Sequence, residues 1–237
     1  MPDDLPDDPP RDDPLAELAP PGGGKAVVPV FPLPNVVLFP KAILPLHIFE
    51  QRYRVMTADA VAGDRRIAMA LLKPGWEKNY AGAAAIEPVV CIGTILAHER
   101  LDDGKYNLLL QGVSRARVVR ELTVLPYRTA ELEILPEPQL MEIDLSNQRR
   151  QLVSIFSNGH FTRMPLCQKF LEMLSSAVST SDIADLIAFN LLDDVKIKQQ
   201  LLSEPDPRRR ADRVASLLER LQILPYPSES AGEQSMN

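Results

Sequence analysis

The chain has 237 residues, 45% of them hydrophobic, and carries 26 Lys and Arg against 32 Asp and Glu for a formal net charge of −6. That apolar fraction supplies a core and excludes wholesale disorder, and the length suits one large domain or two small ones. No run of about 18 apolar residues is present to span a bilayer, and the acidic, Pro-rich start lacks the basic and apolar regions of a secretory signal. Cys91 and Cys167 are too far apart in the chain to suggest a disulfide framework or a zinc cluster, which points to a reducing cytoplasm.

Residues 1–25 hold seven acidic groups and seven of the 22 prolines, net −5, and end in Gly22-Gly23-Gly24. Such a stretch cannot bury enough apolar surface to offset its ordering entropy, so a disordered acidic tail is expected. Residues 226–237 read as a second disordered tail, with Glu229 and Glu233 and no Lys or Arg. Removing both leaves residues 26–225 at +1, so the acidity belongs to the tails and says little about the body's partners.

From Val27 to Leu135, short apolar runs broken by Pro and Gly predict strands and turns. A first strand takes Val28, Val30, Phe31 and Leu33, and a second runs Ala42 to Ile48. Glu50 to Val61 has helical spacing with Gly63 as its stop, and Ile67 to Leu72 is a buried strand. A polar excursion from Lys73 to about Ala85 follows. Val89 to Ala97 and Tyr106 to Val113 form a hairpin through Asp102-Asp103-Gly104, where Gly accepts the positive φ of a tight reversal. Val118-Val119 and Tyr127 to Leu135 continue the sheet, and Gly93 and Gly112 predict the bulges of a small closed barrel.

Past Pro138 the period becomes helical. One helix carries Leu145, Leu152, Ile155 and Phe156, and a second begins at Pro165. A third is capped within Ser179-Thr180-Ser181, a fourth by Asp193 or Asp194, and a last one starts at Pro207. The expected fold class is α+β: a β half over 26–138, then a helical bundle over 139–225.

Two stretches carry a resemblance to a known family. Phe31-Pro32-Leu33-Pro34-Asn35-Val36-Val37-Leu38-Phe39-Pro40, followed by Leu44-Pro45-Leu46-His47-Ile48-Phe49-Glu50-Gln51-Arg52-Tyr53-Arg54, resembles the start of the Lon protease amino-terminal (substrate-binding) domain. Gly93-Thr94-Ile95 and Tyr106 through Gly112-Val113-Ser114-Arg115-Ala116-Arg117 look like its second signature. The resemblance implies a PUA-like pseudo-barrel followed by a helical subdomain. It also implies a role in engaging unfolded or degron-bearing protein segments, or a protein partner. The chain reads as a free-standing member. Gly24-Lys25 is followed by Ala26 and preceded at the required offset by Ala19, so it fails as a Walker A loop, and no Lon-type Ser–Lys peptidase segment is found.

No catalytic residue, cofactor or metal is therefore expected. Gly112-Val113-Ser114-Arg115-Ala116 misses a nucleophile elbow by its last residue and has strand-like flanks on both sides. His47, His98 and His160 share no ligand spacing, and His47 reads as packed or hydrogen-bonded. Arg208-Arg209-Arg210 reads as a solvated helix face. A near-neutral body with 5% aromatic residues disfavours nucleic acid. Candidate peptide- or partner-binding residues are Val37, Leu38 and Phe39 on a Pro-bounded loop, Trp76 and Tyr80 on the polar excursion, and Arg115 and Arg117 on one strand face. Large apolar groups on loops either plug the barrel end or await a partner. The expected activity is non-enzymatic polypeptide binding. The alternatives are a Lon-associated hydrolase or peptidase, and RNA binding through the barrel.

Overall fold

Alternation along the first strand sets the architecture. In β1 (Lys25–Leu33), Val28 and Val30 are fully buried while Val27 is exposed, the period-two pattern of a sheet with one face inward. The structure, a computed structural model, describes residues 24–80, 84–122, 126–138 and 140–223. The two expected tails lie outside the described residues except for Gly24 and Lys25, and Lys25 opens β1.

After β1 come β2 (Ile43–Ile48), α1 (Gln51–Ala62), β3 (Arg66–Leu71), β4 (Val89–Arg100), β5 (Tyr106–Leu122) and β6 (Arg128–Ile134). β1 runs parallel to β3, across a connection that includes α1, and antiparallel to β6. The remaining pairings are antiparallel. β5 is 17 residues long, so its first half lies between β2 and β4 and its second half between β4 and β6. The ring β5-β4-β3-β1-β6 thereby closes, with β2 attached at the edge. β2 tolerates Pro45 because it is paired on one side only.

The bend that permits closure falls where glycines face each other. Ile92 pairs with Ser114 but Gly93 with Gly112, which leaves Val113 as the extra residue of a bulge. A Cβ at Gly112 would stand 2.0 Å from the Phe39 carbonyl oxygen. Lys41 N–H donates to the Gly112 carbonyl at 2.8 Å, and Gly112 N–H to that of Ala42 at 2.9 Å. The Pro-punctuated loop is thus laid flat against the bulge. α1 stops at Gly63 as the sequence predicts, but not through a left-handed glycine. Gly63 has φ −103°, and the left-handed residue is Arg65 at φ 60°. Arg65 is held there by its N–H to the Ala60 carbonyl at 2.9 Å and its Nε to that of Ile95 at 3.0 Å.

The helices are α2 (Ser146–Ser157), α3 (Cys167–Leu174), α4 (Thr180–Leu191), α5 (Val195–Ser203) and α6 (Pro207–Ile223). Ser179 Oγ caps α4 by accepting from Asp182 N–H at 3.0 Å. Asp194 Oδ1 caps α5, accepting from Lys196 and Ile197 N–H at 2.8 and 3.2 Å.

Two apolar clusters form. Inside the barrel are small groups, among them Val28, Val30, Ala68, Ala70, Ala116 and Ala130. Outside it, Phe31, Met69 and Cys91 join α1 through Met56 and run on into the bundle through Leu152, Phe156 and Leu202, one continuous core. Among the described residues no helix is long and apolar enough to cross a membrane.

Candidate functional site

The polar excursion after β3 is anchored at both ends. Lys73 N–H donates to the Ala85 carbonyl and Glu87 N–H to that of Leu71, both at 2.8 Å. Gly75 takes φ 86°, a conformation that costs glycine nothing, and turns the chain into a 3-10 turn at Trp76–Asn79. Trp76 and Tyr80 both pack on the barrel-interior cluster, edge-to-face with ring centroids 5.3 Å apart. Tyr80 is tied further. Its OH donates to Glu50 Oε1 at 2.6 Å, and the Arg52 guanidinium lies over the rings of Tyr53 and Tyr80 at 4.5 and 4.6 Å. Burial, then the bond to Glu50, raises the Tyr80 hydroxyl above its ordinary pKa, so it stays a donor.

Opposite this loop stands α5. Gln199 Nε2 donates to the Val89 carbonyl at 2.8 Å, an apolar-face polar group that pins the helix to β4. Between loop and helix lies a groove of about 500 Å³. Pro34, Leu71, Leu72, Pro74, Trp76 and Glu87 form the barrel wall, and Val195, Lys196, Gln199, Gln200 and Ser203 the helix wall.

Beside the groove barrel and bundle are clamped by buried charges. Arg115 of β5 donates through one terminal nitrogen to both oxygens of Asp185 in α4, at 2.7 and 2.8 Å, and through Nε to the Leu202 carbonyl at 3.1 Å. Arg210 of α6, 1% exposed, lies 3.3 Å from Asp185 Oδ1 and donates to Ser181 Oγ at 2.7 Å and to Glu137. Burial pushes the Asp185 carboxyl up, and the two guanidinium groups oppose it. Burial also works against charge on Glu137, but Arg210, Ser181 and Arg115 outweigh it and hold that carboxyl below its ordinary range.

Of the residues singled out in the sequence, the structure brings Trp76 alone into the groove wall, with Tyr80 behind it. Val37, Leu38 and Phe39 are a correction. They are buried at 4%, 1% and 0% exposure in the core, because the Gly112 bulge lets the loop pack down. Burying such a side chain contributes about 1.5–3 kcal/mol to stability and leaves no anchor for a partner. Arg115 is a second correction, consumed by Asp185, while Arg117 on the same strand is exposed and stands opposite Glu133 of β6. Arg210 is a third, since it belongs to the clamp rather than to a solvated face. The helix wall went unseen in the sequence. The available signal was Gln199, a polar residue on the Val195–Leu202 stripe.

Ser114 lies mid-strand opposite Ile92, not on a strand-to-helix turn. His47 Nδ1 lies 2.8 Å from Asn107 Oδ1, which accepts its proton. Among the described residues no group of three or more His, Cys, Asp or Glu is arranged to hold a metal.

Fold comparison places these features in a class. The N-terminal domain of the Mycobacterium avium complex Lon protease superposes with a TM-score of 0.64 at 16% identity, covering 82% of this chain and 98% of that one. A Lon N-terminal domain protein from Xanthomonas campestris gives 0.57 at 20% identity, covering 81% and 98%. The architecture is the α+β fold of Lon N-terminal domains. Residues 27–220 match the ATP-dependent protease La (LON) substrate-binding domain, and the chain belongs to that family. The Lon protease of Dictyoglomus thermophilum is 27% identical over 212 residues, and that of Trichlorobacter lovleyi 29% over 199. These alignments cover 87% and 82% of this chain but 26% and 24% of those proteins, so the chain spans about a quarter of the curated relatives it matches.

Proposed function

We propose that the chain is a polypeptide-recognition module, without catalysis of its own, that holds extended segments of unfolded or degron-bearing proteins in the groove between the barrel loop and α5. Membership of a substrate-binding domain family supports protein segments as the ligand class. The observation that carries the location is Trp76. It is the chain's only Trp, half-buried, and flanked in the groove wall by Pro34 and Pro74. Aromatic anchors in partly desolvated clefts supply most of the affinity in such complexes. The polar groups opposite, Gln200, Ser203 and Lys196, suit the backbone amides and carbonyls of an extended chain.

The test is an anisotropy titration of a labelled, permanently unfolded polypeptide with wild type, Trp76→Ala and Ile143→Ala, the last an exposed control on the helical side. Trp76→Ala is expected to weaken binding at least about tenfold, or about 1.4 kcal/mol, with Ile143→Ala unchanged. Equal affinities for all three proteins would remove the groove from the account. Cleavage of the polypeptide in the same tubes would overturn the non-enzymatic reading.

A further inference from the structure

The groove continues past its own walls into a strip of cations. Lys196 stands on the helix wall, and its neighbour Gln200 accepts a hydrogen bond from Arg213 of α6. Arg209 lies one turn before Arg213 on the same helix face, with 74% of its side chain exposed and Asp206 3.7 Å away. Prolines and an indole thus sit beside Lys196, Arg213 and Arg209, with Glu87 the acidic residue of the groove wall. The chemistry complementary to that surface is a Pro-rich acidic strand.

We propose that the chain's own residues 1–23 are that ligand, folding back to fill the groove as an intramolecular pseudo-substrate that an incoming polypeptide must displace. The inference rests on the polypeptide reading of the groove given above. Residues 1–23 carry seven prolines and seven acidic groups against Arg11 alone. They also repeat a pattern, with Pro2-Asp3-Asp4 and Pro6-Asp7-Asp8 followed by Asp12-Asp13-Pro14. Proline rings stack on flat aromatic and Pro surfaces at little entropic cost, and with three residues per turn one Asp of each pair, Asp4, Asp7 and Asp13, shares a face that can meet the cations. Because residues 26–225 net only +1, attraction is local to this strip and not a property of the whole surface.

Length permits the contact. The tail joins at the start of β1, and Pro34 follows its end, nine residues on. At about 3.3 Å per residue that is about 30 Å. A Pro-rich stretch advances about 3.1 Å per residue, so about 20 residues reach about 60 Å. Gly22-Gly23-Gly24 supply the reversal.

Trp76, as the sole indole, reports on the groove in the full-length chain. Changing Asp3, Asp4, Asp7, Asp8, Asp12 and Asp13 together to Asn is expected to red-shift its emission and raise acrylamide quenching about twofold. Affinity for the labelled unfolded polypeptide should rise severalfold. Arg209→Glu with Arg213→Glu, and about 0.5 M salt on wild type, should reproduce the fluorescence change. Unchanged emission and quenching in all three, beside normal polypeptide binding, would overturn the tail proposal and leave the groove reading standing. A fluorescence change with no polypeptide binding by any of the proteins would overturn the polypeptide reading and with it the pseudo-substrate role, leaving only a tail–groove contact. A change that vanishes on dilution of wild type would assign the occupant to a second copy and overturn the intramolecular form.

Discussion

Besides the shared apolar core, barrel and bundle face each other across a buried-charge joint and an open groove, and these two are chemically opposite. At the Arg115–Asp185–Arg210–Glu137 clamp each charge has an opposite neighbour and Arg115, Asp185 and Arg210 are all but sealed from water. At the groove Trp76 stands half-buried, and among the described residues no side chain fills the cleft. The same helix serves both: the Leu202 carbonyl of α5 accepts from Arg115, and Gln199 binds Val89 while lining the groove. Such a closed joint fixes the far wall of an open one, so the cleft can keep its width without being filled. Pre-organisation of this kind lowers the cost of ordering a ligand.

The comparison breaks most visibly at Asp185. Asp185→Ala takes the bonded carboxylate from buried Arg115 and leaves Arg210 to Glu137, and urea denaturation should show a loss of about 3–5 kcal/mol. A stability equal to wild type would mean that the clamp does not join the two halves. A smaller effect is expected at Gln199, which pins the helix that serves both joints. Gln199→Ala leaves the buried Val89 carbonyl without its donor, at a cost of about 1–3 kcal/mol, and should weaken polypeptide binding as well. If Gln199→Ala lowers stability but leaves binding unchanged, the two joints are independent. The smallest effect concerns pH. The folded-state pKa of Glu137 lies below its ordinary 4.5, so its contribution is complete above that value and is lost as pH falls through the lower one. Glu137→Gln should therefore be less stable than wild type at neutral pH and converge on it in acid. Asp185, whose shift runs the other way, is present in both proteins, so the result is read as the difference between two stability–pH curves. Parallel curves would contradict the assigned role.

Much of the fold could be read locally. Alternation at Val28 and Val30, the Gly104 reversal at φ 76°, the Ser179 and Asp194 caps and Pro207 at the start of α6 are decided by neighbours within a few residues. The paired glycines also signalled the bulge that closes the ring, which is where Gly93 meets Gly112. What escaped depends on residues far apart in the chain. The Val37–Phe39 run looks like a sticky loop until Gly112, about 70 residues on, is seen to receive it. Arg210 looks like one of three exposed cations until Ser181 and Glu137 appear beside it. The groove itself needs Val89 and Gln199 brought together across 110 positions, a contact that no local pattern encodes. Trp76 was the exception, because a large aromatic side chain in a polar excursion stands out on its own.

Hydrogen–deuterium exchange of the chain with Asp3, Asp4, Asp7, Asp8, Asp12 and Asp13 changed to Asn, with and without a saturating unfolded polypeptide, tests the central claim most directly, because its groove starts open in either case. Protection is expected to gather in two separated segments, residues 72–80 and 195–203, which are the two walls of the groove. Protection confined instead to the β2–β5 face around His47 and Leu109, or to the cleft around Ile143 and Val153, would place recognition elsewhere and contradict the account.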